Sequence, residues 1–298
     1  MSRIKAHLRA AGTPFLSGSL ITVLAGGALA YLERGRLWPA GLAVCLGGVG
    51  CLHLGASLMN GYFDAAEAVP IPSNPASSGD PQAIKDGLSG RRALLVMALV
   101  FLGLAAGLGL SLAFNGRPWA ALWGLLGLVA AVLYSARPVR LKARGLGEAV
   151  VFLACGPLLT LGAAYVLGGE ITPQAASLGL PAGLLIAAAV WLDRFPDPPA
   201  DPPAGQGDPE ARPGPRLPGW ICLLLMLGAF AWLPVLAFVN ELGWLIMAGL
   251  APLPLVLAAG LWLRRNRRGL ARNRTVLAHG LLTLILTLAL VGERFLRT

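Results

Sequence analysis

The sequence predicts an all-α, polytopic membrane protein: nine transmembrane helices in one bundle, with the N-terminus in the cytoplasm. Three observations carry this expectation. Of 298 residues, 56% are hydrophobic and 13% charged, with a mean hydropathy of +0.70, whereas soluble domains carry about 25% charged residues. Cutting the chain at every Asp, Glu, Lys and Arg leaves nine uncharged windows of 18 residues or more, which hold 200 of the 298 residues. A hydrocarbon core about 30 Å thick takes roughly 20 apolar residues of helix, so each window is near or above the length of one crossing. If each window crosses once, 19 of the 24 basic residues fall on the N-terminal side, the bias that places that side in the cytoplasm. The net charge of +10 is therefore mostly topogenic and calls for no nucleic acid. A water-soluble enzyme, a nucleic-acid-binding module and a disordered chain are all excluded.

The first window, 10–32, follows the basic start Arg3, Lys5 and Arg9. Its Ala28-Leu29-Ala30 run has the form of a signal-peptide cleavage site, but eight further windows favour a retained helix. Residues 2–12 alternatively lie along the interface as a short basic helix. The second window, 37–63, ends in LHLGASLMNGYFDAAEA. There His53, Ser57, Asn60, Asp64 and Glu67 follow at spacings of four, three, four and three, which puts all five on one helical stripe. Polar groups aligned at membrane depth face a cavity or a partner helix; for His53 alone, an interhelical hydrogen bond is the reading.

The third and fourth windows, 93–116 and 118–136, meet at Arg117, and the fifth and sixth, 149–169 and 171–192, meet at Glu170. The sixth runs out into LDRFPDPPADPPAG, in which Asp193, Asp197 and Asp201 stand four apart. Carboxylates this close raise one another's pKa unless cations neutralise them. Facing carboxylates from two helices make a bed for Mg²⁺, a hard ion that also takes waters and substrate phosphates; a solvated, Pro-rich acidic linker is the alternative. The seventh and eighth windows, 217–240 and 242–263, meet at Glu241, and the ninth, 275–292, carries His279, read as a packed histidine. Cys45, Cys51, Cys155 and Cys222 all fall inside windows without metal-ligand spacing and read as small core residues.

The connections are unequal. Those on the outer side are nearly confined to 33–36, Arg117, Glu170 and Glu241, whereas 64–92 and 193–216 are long, polar and rich in Pro and Gly. Both long connections fall on the cytoplasmic side, together with ten of the fourteen acidic residues. Loops longer than about 12–15 residues in a compact fold are usually functional or disordered. The whole chain, 1–298, therefore reads as one transmembrane domain whose cytoplasmic loops 64–92 and 193–216 carry the site, with Lys85, Arg140 and Lys142 on the same side.

These residues resemble the UbiA superfamily of intramembrane prenyltransferases, which have nine transmembrane helices, over nearly the whole chain. That family's first motif, N-D-x-x-D, is matched by Asn60-Gly61-Tyr62-Phe63-Asp64, and its second, D-x-x-x-D, by Asp197-Pro198-Pro199-Ala200-Asp201. Phe195-Pro196-Asp197 and the run YSARPVRLKARGLGE at 134–148 are similar to the branch that prenylates 1,4-dihydroxy-2-naphthoate for menaquinone, and the segment from Gln82 to Arg92 resembles the family's basic turn-and-helix segment after the first motif. The resemblance implies a polyprenyl diphosphate donor, an aromatic quinone precursor as acceptor, the lipid bilayer as medium and a place in the cytoplasmic membrane. It implies Asp64 and Asp197 as catalytic, with Asn60, Asp64, Asp197 and Asp201 holding Mg²⁺. Lys85, Arg140 and Lys142 would bind the diphosphate, and Tyr62, Tyr134 and Ser135 would line the pocket for acceptor or carbocation, with Phe63 beside them. The chain departs from the family where Gly61 replaces an Asp, where Ala68 replaces a further acid common there, and where prolines fill the second motif. A non-catalytic relative that binds prenyl lipid or scaffolds membrane enzymes is the alternative reading.

Overall fold

The computed structural model describes residues 13–65, 91–193, 217–265 and 267–297, which are helical with short turns. In chain order the helices are α1 (Thr13–Arg34), α2 (Pro39–Ala65), α3 (Arg91–Phe114), α4 (Ala120–Ser135), α5 (Gly147–Cys155), α6 (Pro157–Gly168), α7 (Pro173–Asp193), α8 (Leu217–Ala231), α9 (Leu253–Arg264) and α10 (Arg268–Leu296). Tighter or looser turns cover Leu141–Arg144, Val235–Val239 and Trp244–Leu250. Among the described residues, eight helical stretches are long and apolar enough to cross a membrane; the fourth window folds instead as the 16-residue apolar helix α4. At 1.5 Å per residue, α4 is about 24 Å long, somewhat short of the hydrocarbon core.

The fifth window contains a break that an uncharged run conceals. Pro157 removes a backbone donor, and α5 gives way to α6 at Gly156. The break lies against α7: a Cβ on Gly156 would lie 2.6 Å from the Gly179 carbonyl oxygen, and one on Gly183 would lie 2.6 Å from that of Phe152. The two backbones touch because neither side has a side chain at the crossing, the small-residue device by which membrane helices pack closely.

The main apolar core gathers α1, α7, α8 and α10 around Leu29, Leu185, Met226, Leu233, Leu282 and Leu286. A second cluster joins α1, α2 and α6 through Val23, Cys45, Tyr165 and Val166, and a third joins α2 to α3 through Leu58, Met59, Leu94 and Ala98. Helix α3 turns Val96, Leu99, Val100 and Leu104 outward, as expected of a helix with one face in lipid.

At the end of the bundle remote from Asp64, arginines close helix ends. Arg117 Nε donates to the Val166 carbonyl at 2.7 Å, Arg294 donates to Leu32 O at 3.4 Å, and Arg297 to Glu241 O at 2.6 Å. Arg34 pairs with Glu170. Val166 and Leu32 lie in last turns, whose carbonyls have no helical partner, so these outer arginines satisfy the backbone.

Replacing Gly179 with Leu would drive side-chain atoms into the Gly156 backbone, 2.6 Å from the position of the new Cβ. Overpacking of this kind costs about 1–3 kcal/mol or more. The expected outcome is a lower melting temperature in detergent for Gly179→Leu and none for Gly103→Ala, where a Cβ meets nothing within 4 Å.

Candidate functional site

Helix α2 ends with Asn60 and Asp64 one turn apart, and Asn60 Nδ2 donates to Asp64 Oδ2 at 3.1 Å. The side-chain amide oxygen of Asn60, Oδ1, accepts from the hydroxyl of Ser135, the last residue of α4, at 3.2 Å. Ser135 is wholly buried and Asn60 nearly so. Two cations then arrive from the turn between α4 and α5. The Lys142 ammonium contacts both Asn60 Oδ1 and Asp64 Oδ1, and Arg140 Nη2 reaches Asp64 Oδ1 at 3.4 Å.

The turn is built to deliver them. Arg140 N donates to Ala136 O at 2.8 Å and Leu146 N to Leu141 O at 3.1 Å, while Arg144 Nη2 bonds Pro138 O at 3.0 Å. Gly145, at φ +79°, supplies the left-handed close of the short helix Leu141–Arg144. Arg140 itself is left-handed, at φ +41°, which costs a non-glycine residue about 1–2 kcal/mol. That conformation lets the side chains at 140 and 142 converge on one carboxylate oxygen.

Five residues expected from the sequence therefore meet: Asn60, Asp64, Ser135, Arg140 and Lys142. Among the described residues, the Asp64 carboxylate faces two cations, and its side chain keeps 24% of its surface open. Two cations brought to one point are groups able to bind a phosphate. Asn60 and Asp64 also turn two hard oxygens towards one cation, here the Lys142 ammonium, and hard oxygens are the donors that Mg²⁺ takes. Among the described residues no three His, Cys, Asp or Glu side chains gather into a metal centre, so an ion at Asn60 and Asp64 requires further oxygens from a bound phosphate or from beyond these residues.

Tyr62 is placed differently. Two residues past Asn60 is about 200° round the helix, and its ring packs edge-on against Phe63, centroids 5.0 Å apart, over the α2–α3 cluster. Tyr134 is half-buried next to Ser135 in the last turn of α4. Asp197, Asp201 and Lys85 lie outside the described residues, as do Glu67 and Ala68. His53 pairs with Ser19 of α1, Nδ1 to Oγ 3.0 Å, and His279 is buried where Gly18 leaves room for its ring.

One contact was concealed in the sequence. Arg272 of α10 is 3% exposed and donates through Nη1 to Asp193 Oδ1, at the end of α7, at 2.6 Å. Charge alone assigns Arg272 to the topogenic set. The stripe Ala271, Thr275, Ala278, Leu282, all buried, is the signal that puts this face of α10 inward.

Below the polar cluster a cavity of about 110 Å³ lies among α2, α3, α4, α5 and α6. Cys45, Gly48, Leu112, Trp123, Gly124 and Gly162 are in its wall, which is chiefly apolar. Leu52, its wall residue nearest to Asn60 along α2, is eight residues or roughly 12 Å away.

The sequence profile described as the UbiA prenyltransferase family matches residues 19–285. A 1,4-dihydroxy-2-naphthoate octaprenyltransferase of Mycobacterium tuberculosis (strain ATCC 25618 / H37Rv) is 28% identical over 287 residues, 93% of this chain and 92% of that protein. A protein of the same name from Bacillus subtilis (strain 168) is 25% identical over 176 residues, 58% of this chain and 54% of that protein. A solved structure described as concerning digeranylgeranylglyceryl phosphate synthase in membranes matches with a TM-score of 0.58 at 14% identity, covering 99% of each chain; that likeness concerns the fold.

If Lys142 and Asp64 interact as placed, a double-mutant cycle of Lys142→Met and Asp64→Asn, read by thermal melting in detergent, gives a coupling energy of about 1–2 kcal/mol. Additive effects of the two substitutions would contradict the contact.

Proposed function

Since the chain belongs to the UbiA prenyltransferase family and is a prenyltransferase, we propose that it moves a polyprenyl group from its diphosphate to 1,4-dihydroxy-2-naphthoate or a related aromatic quinone precursor. The observation that carries this reading is the cluster of Asn60, Asp64, Ser135, Arg140 and Lys142 above an apolar interior. A polyprenyl diphosphate has the matching shape: a highly charged head and a tail that belongs in lipid. The names of the two relatives support the choice of acceptor.

In this reading Lys142 and Arg140 bind the diphosphate head, and their positive charge favours the form in which the allylic C–O bond has broken and its electrons rest on the leaving group. Mg²⁺, held by Asn60 and Asp64 with Asp197 and Asp201 as further proposed ligands, supplies additional charge and a template when bound. Ser135 fixes the Asn60 amide so that its oxygen faces the head. The apolar wall keeps water from the allylic cation, and the acceptor ring attacks its terminal carbon, then regains aromaticity by losing a proton, or its carboxyl group as CO2, from the attacked position. The cavity between α2 and α4 receives part of the tail. The distribution of basic residues supports a cytoplasmic position for this end of the bundle, in the cytoplasmic membrane.

The test uses purified protein in lipid nanodiscs with polyprenyl diphosphate and 1,4-dihydroxy-2-naphthoate, product being read by mass spectrometry. Prenylated product is expected with Mg²⁺, is abolished by EDTA, and falls at least about 100-fold in Asp64→Asn and Asp197→Asn. No product and no diphosphate release across a panel of aromatic acceptors would contradict the proposal. Gly124→Leu, which fills open space in the cavity wall, is expected to raise KM for long donors more than for short ones; an equal effect on both would remove the tail from this cavity.

A further inference from the structure

The ion pairs at the motif-bearing end occur twice, in a pattern that the amino-acid identities do not repeat. Asp64 ends α2 and is met by Arg140 and Lys142, 76 and 78 residues later, just after α4. Asp193 ends α7 and is met by Arg272, 79 residues later, in the second turn of α10. Each pair thus spans one long polar connection and two crossings before a cation returns to the acid. Alternation of the helices places both pairs at the same end.

The second pair differs in burial and in what it leaves unfinished. The Arg272 side chain is 4% exposed, against 16% for Lys142. Arg272 Nη2 bonds Asn273 Oδ1 at 3.0 Å, while its buried Nε–H has no acceptor among the described residues. A buried ion pair costs desolvation of both charges, and apolar side chains would join two helices without it. Simple adhesion between α7 and α10 therefore does not account for the pair. Its location does: Asp193 is the first of the carboxylates spaced by four, and Asp197 begins the second motif four residues on in the sequence.

We propose that Arg272 is a positioning residue for donor binding, acting through Asp193. It neutralises the first carboxylate of the series, which withdraws Asp193 from any part as a metal ligand, and it fixes the carboxyl end of α7 against α10. The chain therefore leaves α7 towards the second motif from a defined point. Arg272 does for the second half of the bundle what Lys142 does for the first, with one difference: Lys142 holds a motif acid itself, and Arg272 holds the acid one turn before the motif. This inference rests on the donor-binding reading above.

The test compares wild-type protein in nanodiscs with Arg272→Gln, Arg272→Lys, Asp193→Asn and the double variant Arg272→Gln/Asp193→Asn. The readouts are KM for donor and acceptor, kcat, thermal melting, and the Kd of a non-reactive prenyl thiolodiphosphate with Mg²⁺ present. Arg272→Gln is expected to weaken analogue binding and raise donor KM about tenfold, leaving acceptor KM within about twofold. Arg272→Lys keeps the charge and recovers most of that loss. The double variant, in which Gln and Asn still hydrogen-bond and no bare carboxylate remains, also recovers most of it. A lower melting temperature in Arg272→Gln and Asp193→Asn with donor KM and analogue Kd unchanged would make the pair structural only and overturn the proposal. If Arg272→Gln does not fold, Arg272→Lys and Asp193→Asn decide alone, and wild-type donor affinity in both overturns it. Wild-type protein that binds no analogue and makes no product would instead remove the function proposed above, and this inference with it.

Discussion

A carboxylate at the edge of a membrane is held in place only where cations meet it, and the arrangement of Asp64 with Lys142 and Arg140 organises this protein. The carboxylate alone would favour open water, and two cations alone would repel each other. Together they draw the turn between α4 and α5 onto the end of α2, and the buried Ser135 joins Asn60 beneath them. The left-handed Arg140 is tolerated because the turn around it is closed by its own hydrogen bonds. Asn60, Asp64, Ser135, Arg140 and Lys142 thereby gather at one end of a bundle whose main core clusters are apolar.

The balance of charge gives this site its character. Where the family's first motif resembles two acids, this chain has one, since Gly61 stands in the second place. Among the described residues Asp64 is met by two cations. In the proposed reading the donor head pairs with the same two cations. At the opposite end Arg117, Arg294 and Arg297 bond backbone carbonyls and Arg34 pairs with Glu170, whereas Arg140 and Lys142 converge on a side-chain carboxylate at the motif-bearing end. The Arg272–Asp193 pair extends the same principle to the second half of the bundle.

Much of this was legible in the sequence, and the rest was hidden for identifiable reasons. The uncharged windows located the apolar helices because burial in lipid forbids charge, which makes charges good boundary markers. The same rule missed the break at Gly156-Pro157, an uncharged pair whose effect is on backbone geometry, and it gave no sign that α4 is only 16 residues long. Asn60 and Asp64 share a face by helical spacing alone. Ser135, Arg140 and Lys142 came to them through motif resemblance, because a contact across 75 to 82 residues leaves no local trace. Tyr62 was expected beside the site from its place inside the motif, but helical rotation turns it to the α3 side. Arg272 was counted as a topogenic charge, since charge-based cutting starts the ninth window only after Arg274; α10 in fact begins at Arg268 and carries Arg272 inward. The second motif itself lies outside the described residues.

The central claim is that the cations meeting Asp64 are the diphosphate site. A structure of the protein in nanodiscs with Mg²⁺ and a non-reactive prenyl thiolodiphosphate tests it most directly. Phosphate oxygens are expected within hydrogen-bonding distance of Lys142 Nζ and the Arg140 guanidinium, with the first isoprene unit directed into the bundle below Asn60. A diphosphate bound elsewhere, with the Lys142–Asp64 and Arg140–Asp64 contacts intact and no phosphate beside them, would contradict it.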